Sequence, residues 1–164
     1  TLDSTKLSPA ISAGITQADQ WRVTSNFDTS NANIITTNWE RNDNRFSVLG
    51  SGMSESSGIF TFPSTGIYLI LVMASITGNS TSRFASVHLQ RTLNNSSYSY
   101  LGETVQQNAM TDGYNTGFCQ AIMDVTDTTN QKVKLTQDAA VAITLRGSTN
   151  DNRTCITFIR LGDT

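Results

Sequence analysis

The 164-residue chain reads as all-β, a two-sheet antiparallel sandwich or barrel. Three observations carry that reading. Only 15% of the residues are charged, and Ser, Thr and Asn fill much of the remainder, a mixture poor in strong helix formers and rich in residues that favour strands and turns. Short apolar segments alternate with turn signals roughly every ten residues, the spacing of an all-β domain rather than of alternating helices and strands. No internal repeat and no helical period longer than a turn interrupts the pattern.

Residues 1–19 are polar and irregular, punctuated by Pro9 and Gly14, and read as an arm or linker that packs on a neighbour; residues 20–164 read as one domain. Strands are expected at 21–24 and 34–41, then at 46–49 after the loop "RNDNR". The glycine- and serine-rich stretch 50–57 reads as flexible. Segments 59–62 and 67–75 are expected to form a hairpin around "PSTG". Strand 84–91 follows, and the "NNSS" turn leads into 98–103. Strands 117–125, 131–136, 141–146 and 155–161 complete the set. Alternation supports them individually. Ala85, Val87 and Leu89 share one face of their strand, while Ser86, His88 and Gln90 share a solvated one. Val133 and Leu135 face in, with Lys132 and Lys134 out. Val141, Ile143 and Leu145 face in.

The stretch "SSGIFTFPSTGIYLILVMASI" (56–76) behaves differently. Tyr68, Ile70, Val72 and Ala74 lie on one face of the strand; Ile67, Leu69, Leu71 and Met73 lie on the other. Both faces are apolar, so both need cover. The opposite sheet supplies one cover, and a neighbouring subunit is the simplest second one. Tyr68, Ile70, Val72 and Leu71 are therefore the expected interface residues. The alternative cover is the N-terminal arm of the same chain.

Composition excludes several functions. A net charge of −2 without a basic stripe leaves nucleic-acid binding unsupported. The apolar run 67–76 is too short to span a bilayer. His88 is the sole histidine, its face-mates are Ser86 and Gln90, and no GxSxG elbow is present, so it reads as a surface or interface residue and no catalytic residue is assigned. One His and two distant Cys do not make a zinc site. No cofactor is expected. The acidic loops "ERNDN", "TDGYN" and "STNDN" offer oxygen ligands that calcium would accept, although none has EF-hand spacing and solvated turns are the preferred reading. Cys119 and Cys155 either pair, which implies an oxidising compartment, or serve as two small buried hydrophobes, the preferred reading. The loops "TLNNSSYSYLGE" and "AMTDGYNTG" carry Tyr98, Tyr100, Asp112, Tyr114 and Asn115 with Asn94 and Asn95, the aromatic and amide mixture of a shallow sugar site. Asn79-Ser80-Thr81, Asn95-Ser96-Ser97 and Asn152-Arg153-Thr154 would accept glycans in a eukaryotic secreted protein.

The segment "SGIFTFPSTGIYLI" resembles the signature of complement C1q-like globular heads, which share a jelly roll with tumour necrosis factor. The pattern is a Phe, five residues, a Gly, one residue and a Tyr, here Phe60, Gly66 and Tyr68; Ile70 and Val72 stand where that family usually has aromatics. "GFCQAIMDVTDTTNQKVKL" and "TCITFIRL" resemble its late strands more weakly, and the segment 46–60 departs from the pattern. The resemblance implies a homotrimeric jelly-roll head with one side of strand 67–75 toward a threefold axis. A narrower likeness joins "ITQADQWRVTSNFD" and "LGSGMSESSGIFTFPSTGIYLI" to jelly-roll heads in virion proteins of tailed, particularly marine, phages. It implies a non-enzymatic fibre tip or capsid knob on the particle surface. Such a head would hold other virion proteins through its N-terminal side and bind a host-surface glycan or protein, without nucleic acid or membrane insertion. The rival expectations are a capsid decoration protein without a receptor, a secreted C1q-like recognition lectin, and a trimerising tail of a larger enzyme. The chain reads as the C-terminal piece of a longer one.

Overall fold

A computed structural model describes residues 14–29, 33–78 and 80–164. Most of the expected arm, residues 1–13, and the acceptor Asn79 lie outside the described residues. The architecture is a two-sheet antiparallel β-sandwich, a jelly roll, with thirteen strands and no helix among the described residues.

The first sheet is built on β7 (Gly66–Gly78). One edge of β7 carries β10 (Tyr114–Val125) along its length, from Tyr114 opposite Thr77 to Val125 opposite Gly66. The other edge carries β13 (Cys155–Gly162) and then β12 (Ile143–Leu145). Outside them lie β1 (Ala18–Val23) with β4 (Trp39–Arg41), and β2 (Phe27–Thr29). The second sheet is built on β11 (Lys132–Ala139), which pairs with β8 (Ser82–Thr92) on one side. Its other side carries β6 (Ile59–Thr61) and β3 (Asn33–Ile34). β9 (Tyr98–Asn108) extends the sheet beyond β8, and β5 (Ser54–Ser56) extends it beyond β6.

Three expected elements come out differently. The strand expected at 34–41 is two strands in two sheets, β3 and β4, because the chain crosses the sandwich between them; Asn38 takes the left-handed conformation (φ 66°) at the crossing. The hairpin expected around "PSTG" is likewise a crossing: β6 pairs with β5 and β11, whereas β7 belongs to the opposite sheet. The strand expected at 46–49 is a single bridge, Leu49 opposite Ala18. A short hairpin does occur one step earlier. Ser57 (φ 52°) and Gly58 (φ 80°) join β5 to β6 as a two-residue turn with both φ positive, the combination whose twist suits paired strands. A Cβ on Gly58 would stand 2.3 Å from the Ile35 carbonyl oxygen. Gly58→Ala is expected to cost at least about 2 kcal/mol in thermal unfolding, from left-handed strain plus a backbone clash.

The core explains the sequence signature. Phe60 is fully buried and meets Trp39, Phe158 and Trp21 at ring-centroid distances of 5.1, 5.5 and 5.8 Å, largely edge to face. Tyr68 is buried against Phe62, and its single hydroxyl proton has two acceptors in reach, the Ser64 carbonyl (3.0 Å) and Gln17 Oε1 (3.2 Å), so the polar tip is satisfied at the core's rim. Gly66 sits between them at φ 145°, where a Cβ would stand 2.4 Å from Arg160 Nε.

Candidate functional site

Strand alternation on β7 separates two populations. Tyr68, Ile70 and Val72 are at most 1% exposed and point into the core between the sheets. Three of the four expected interface residues are therefore corrected to core positions; only Leu71 faces outward. Its true companions follow from register, because opposed residues in neighbouring strands share a face. Phe118, Met73 and Cys155 form one outward row, Gln120, Leu71 and Thr157 a second, and Ile122, Leu69 and Ile159 a third. Phe118 and Ile122 are 70% and 65% exposed. An open hollow of about 590 Å³ runs across the first two rows, between β10 and β13. The signal that finds Phe118 and Ile122 in the sequence is the period-two alternation of β10, read as one sheet with β7.

The same registers place the cysteines. Cys119 opposes Val72 and faces in, whereas Cys155 opposes Met73 and faces out. With β7 between them and opposite orientations they do not form a disulfide, and both are free thiols. Burial, aided at Cys119 by the Glu103 carboxylate, pushes each thiol from 9.0 up to about 11. A pKa raised by folding adds stability that is complete below the unfolded value and lost as pH climbs through the folded one. Unfolding midpoints are thus expected to fall between pH 9 and about 11. At pH 8 a thiol-disulfide reagent should label neither cysteine until denaturant is added.

The acidic loop "ERNDN", expected as a solvated turn with calcium as the lesser reading, is built around an arginine. Its oxygens converge on Arg22, which is 1% exposed on the outward side of β1. Arg22 Nε donates to Glu40 Oε1 (2.6 Å), Nη2 to Asp43 Oδ1 (3.1 Å), and Nη1 to Asn42 and Asn44. The guanidinium stands where a cation would stand. Of the other two loops, "TDGYN" holds Asp112 in a left-handed turn (φ 59°), and "STNDN" pairs Asp151 with Arg45 at 3.7 Å.

The expected ligand residues separate into two places at opposite ends of β9. Asp112, Tyr114 and Asn115 gather around the turn into β10. There the Asp112 N–H donates to the Gly78 carbonyl, Asn115 donates to Asn108, and the Arg146 guanidinium lies 4.1 Å from the Tyr114 ring. Tyr98 and Tyr100 lie at the other end, on the outward face of the second sheet, beside His88, Gln90 and Lys134, which the sequence placed on an outward face, and Glu103 and Thr136, which it did not single out. Glu103, His88 and Thr136 form one row across β9, β8 and β11; Tyr100, Gln90 and Lys134 form the next. A bulge creates this arrangement. Gly102 opposes Leu89 while Tyr100 opposes Gln90, so Leu101 is an extra residue. Residues 100 and 103 are three apart and would otherwise face opposite ways; the bulge aims both outward. The Tyr100 ring, on a side chain 64% exposed, stacks 4.5 Å from His88, which is 5% exposed. The face expected to be solvated is covered at this point. Lys134 Nζ sits 3.8 Å over the Tyr98 ring, and their mutual burial lowers the lysine's pKa and raises the tyrosine's. His88 Nε2 faces Glu103 Oε2 at 3.5 Å, while Nδ1 has no partner. Ser86 donates to the Asp138 carbonyl instead of to the imidazole, so His88 does not activate it.

These surfaces belong to a jelly roll of the tumour necrosis factor and C1q kind. The fold is similar to Eiger TNF from S. frugiperda, with a TM-score of 0.72 and 15% identity over 92% of this chain and 96% of that one. It is also similar to murine APRIL (TM-score 0.65, 15% identity, 88% and 98% of the two chains). The globular domain of zebrafish complement 1qA matches with a TM-score of 0.60 and 11% identity over 90% and 99%. At these identities the likeness is one of fold. No family model and no curated protein matches the sequence.

Proposed function

We propose that the chain is a non-enzymatic, homotrimeric recognition head, carried at the tip of a virion appendage, as a tail-fibre tip or capsid knob, and used in host attachment. The observation that carries the trimer is the outward face of the first sheet. Phe118 and Ile122, 70% and 65% exposed, lie beside Met73, Leu71, Leu69 and Ile159 on this face, an exposed apolar surface of the kind that marks an interface. A second copy turned about a closed threefold axis covers them without leaving an open end. Three protomers then present the same surface together, so weak contacts combine into useful avidity. The virion placement is supported by the sequence likeness to phage heads, and the N-terminal side is the attachment to other virion proteins. A second reading, a secreted C1q-like recognition lectin, is favoured by the likeness to the complement 1qA domain over 90% of the chain.

Light scattering at high and low protein concentration tests the assembly. A mass three times that of one chain, holding on dilution, is the expected result. A clean monomer would overturn the trimer, mean that the face is covered from within the chain, and move a receptor-free capsid decoration protein ahead. The upstream sequence separates the two placements: Gly-X-Y repeats go with the secreted lectin, a β-fibre or capsid-binding arm with the virion.

A further inference from the structure

We infer that the outward face of the second sheet holds a binding site for a neutral sugar ring, formed between Tyr100 and His88 and closed over by Tyr100 when empty. This deepens the recognition reading above and rests on it.

Four observations converge on one spot. His88 Nδ1 and Thr136 Oγ1 are both buried and have no hydrogen-bond partner. The two residues are directly opposed on β8 and β11, so their side chains stand side by side on the outward face. Leaving two neighbouring polar atoms unpaired is costly, and the cost is recovered when a ligand hydroxyl reaches them. His88 Nε2 faces the Glu103 carboxylate at 3.5 Å, which leaves Nδ1 as the unpaired ring nitrogen. Thr136 Oγ1 both donates and accepts. Tyr100 stacks on the imidazole, yet its own side chain is 64% exposed and no hydrogen bond restrains its hydroxyl among the described residues. A rotation about its Cα–Cβ bond opens the space above the imidazole. Finally, the β9 bulge is what brings Tyr100 and Glu103 to the same face, the kind of irregularity found where a side chain has to be re-aimed.

The chemistry selects the ligand class. Two aromatic rings offer apolar faces to the C–H side of a pyranose, and its hydroxyls meet the unpaired His88 Nδ1 and Thr136 Oγ1, the Glu103 carboxylate as acceptor and the Gln90 amide as donor. Glu103 beside the imidazole repels an anionic group, and the ammonium of Lys134 is engaged over Tyr98. A neutral polyol with alternating donors and acceptors fits this mixture better than a phosphate, a sulfate or a carboxylate.

Saturation-transfer NMR of the full chain with methyl glucoside, methyl galactoside and methyl mannoside tests the site. Transfer to at least one glycoside is expected. It should be lost in Tyr100→Ala, whose side chain is largely exposed, and in Thr136→Val, but kept in Tyr114→Ala. The Thr136→Val variant separates binding from folding. Removing a buried hydroxyl that has no partner should leave the melting temperature unchanged or raised while sugar transfer disappears. Transfer to none of the three sugars, with Nδ1 and Oγ1 satisfied by a trapped water alone, overturns the inference. So does transfer that survives either substitution, or a loss confined to Tyr114→Ala, which would move the site to the other end of β9. Light scattering on the same samples keeps the readings apart: a monomer that takes up sugar sinks the trimer alone, and a trimer that takes up none sinks this site alone.

Discussion

Replacing Asp19 with alanine is expected to cost about 2–3 kcal/mol, below the loss for a wholly buried ion pair because its partner Arg41 is 35% exposed. Asp19 is 2% exposed and has every lone pair engaged. It accepts from Arg41 Nε and Nη2 (3.0 and 3.1 Å), from Trp21 Nε1 (2.9 Å), and from the Met53 and Gln20 N–H groups (2.7 and 2.9 Å). Arg41 in turn donates to the Met53 carbonyl and stacks 4.7 Å from the Trp21 ring. The carboxylate therefore ties β1 to β4 and to the loop ahead of β5. Alanine would leave the indole N–H and the Met53 N–H without their acceptor, while the guanidinium keeps the Met53 carbonyl and its contact with solvent. Asp19→Asn keeps an acceptor but loses the charge, and should fall between the two. Urea unfolding reads the result as a lower midpoint at unchanged slope. A loss under about 1 kcal/mol, the size of an exposed pair, would show that the network is incidental.

The second large effect is a pair of neighbouring substitutions with opposite consequences. Leu71→Lys should convert the proposed trimer to a folded monomer, with light scattering falling to one third of the mass and the circular dichroism unchanged. Val72→Lys should unfold the chain instead, because Val72 is 1% exposed in the core and a lysine there would bury an unpaired charge. Phe118→Lys, on the neighbouring strand and 70% exposed, should repeat the Leu71 result. A trimer that survives both Leu71→Lys and Phe118→Lys would remove this face from the assembly.

Much of this was legible in the chain itself. The all-β class, most strands after residue 58, the double-sided character of β7 and the Phe60–Gly66–Tyr68 signature all follow from alternation and turn chemistry, which are local. The faces of 85–89 and 133–135 follow in the same way. Misread were the places where the chain changes sheets. "PSTG" looks like a hairpin loop because it is short and turn-rich, and nothing in those four residues says that β6 will find β11 more than seventy residues later. Asp19 looks like the end of an arm because a polar residue gives no local sign of an arginine partner at position 41. The candidate sites were half legible: Tyr98 and Tyr100 stood out as aromatics in a polar loop and His88 as the sole histidine, but Glu103 and Thr136 did not, and nothing joined His88 to the tyrosines. All three join Tyr100 through a bulge and through pairing of three strands distant in sequence. By itself, then, the sequence determined the kind of structure and that β7 would need cover on two sides. Which side met the core, and which residues of other strands completed each outward surface, was decided by tertiary structure. The physical reason is that alternation is written residue by residue, whereas register and the choice of facing partner are set by long-range strand pairing.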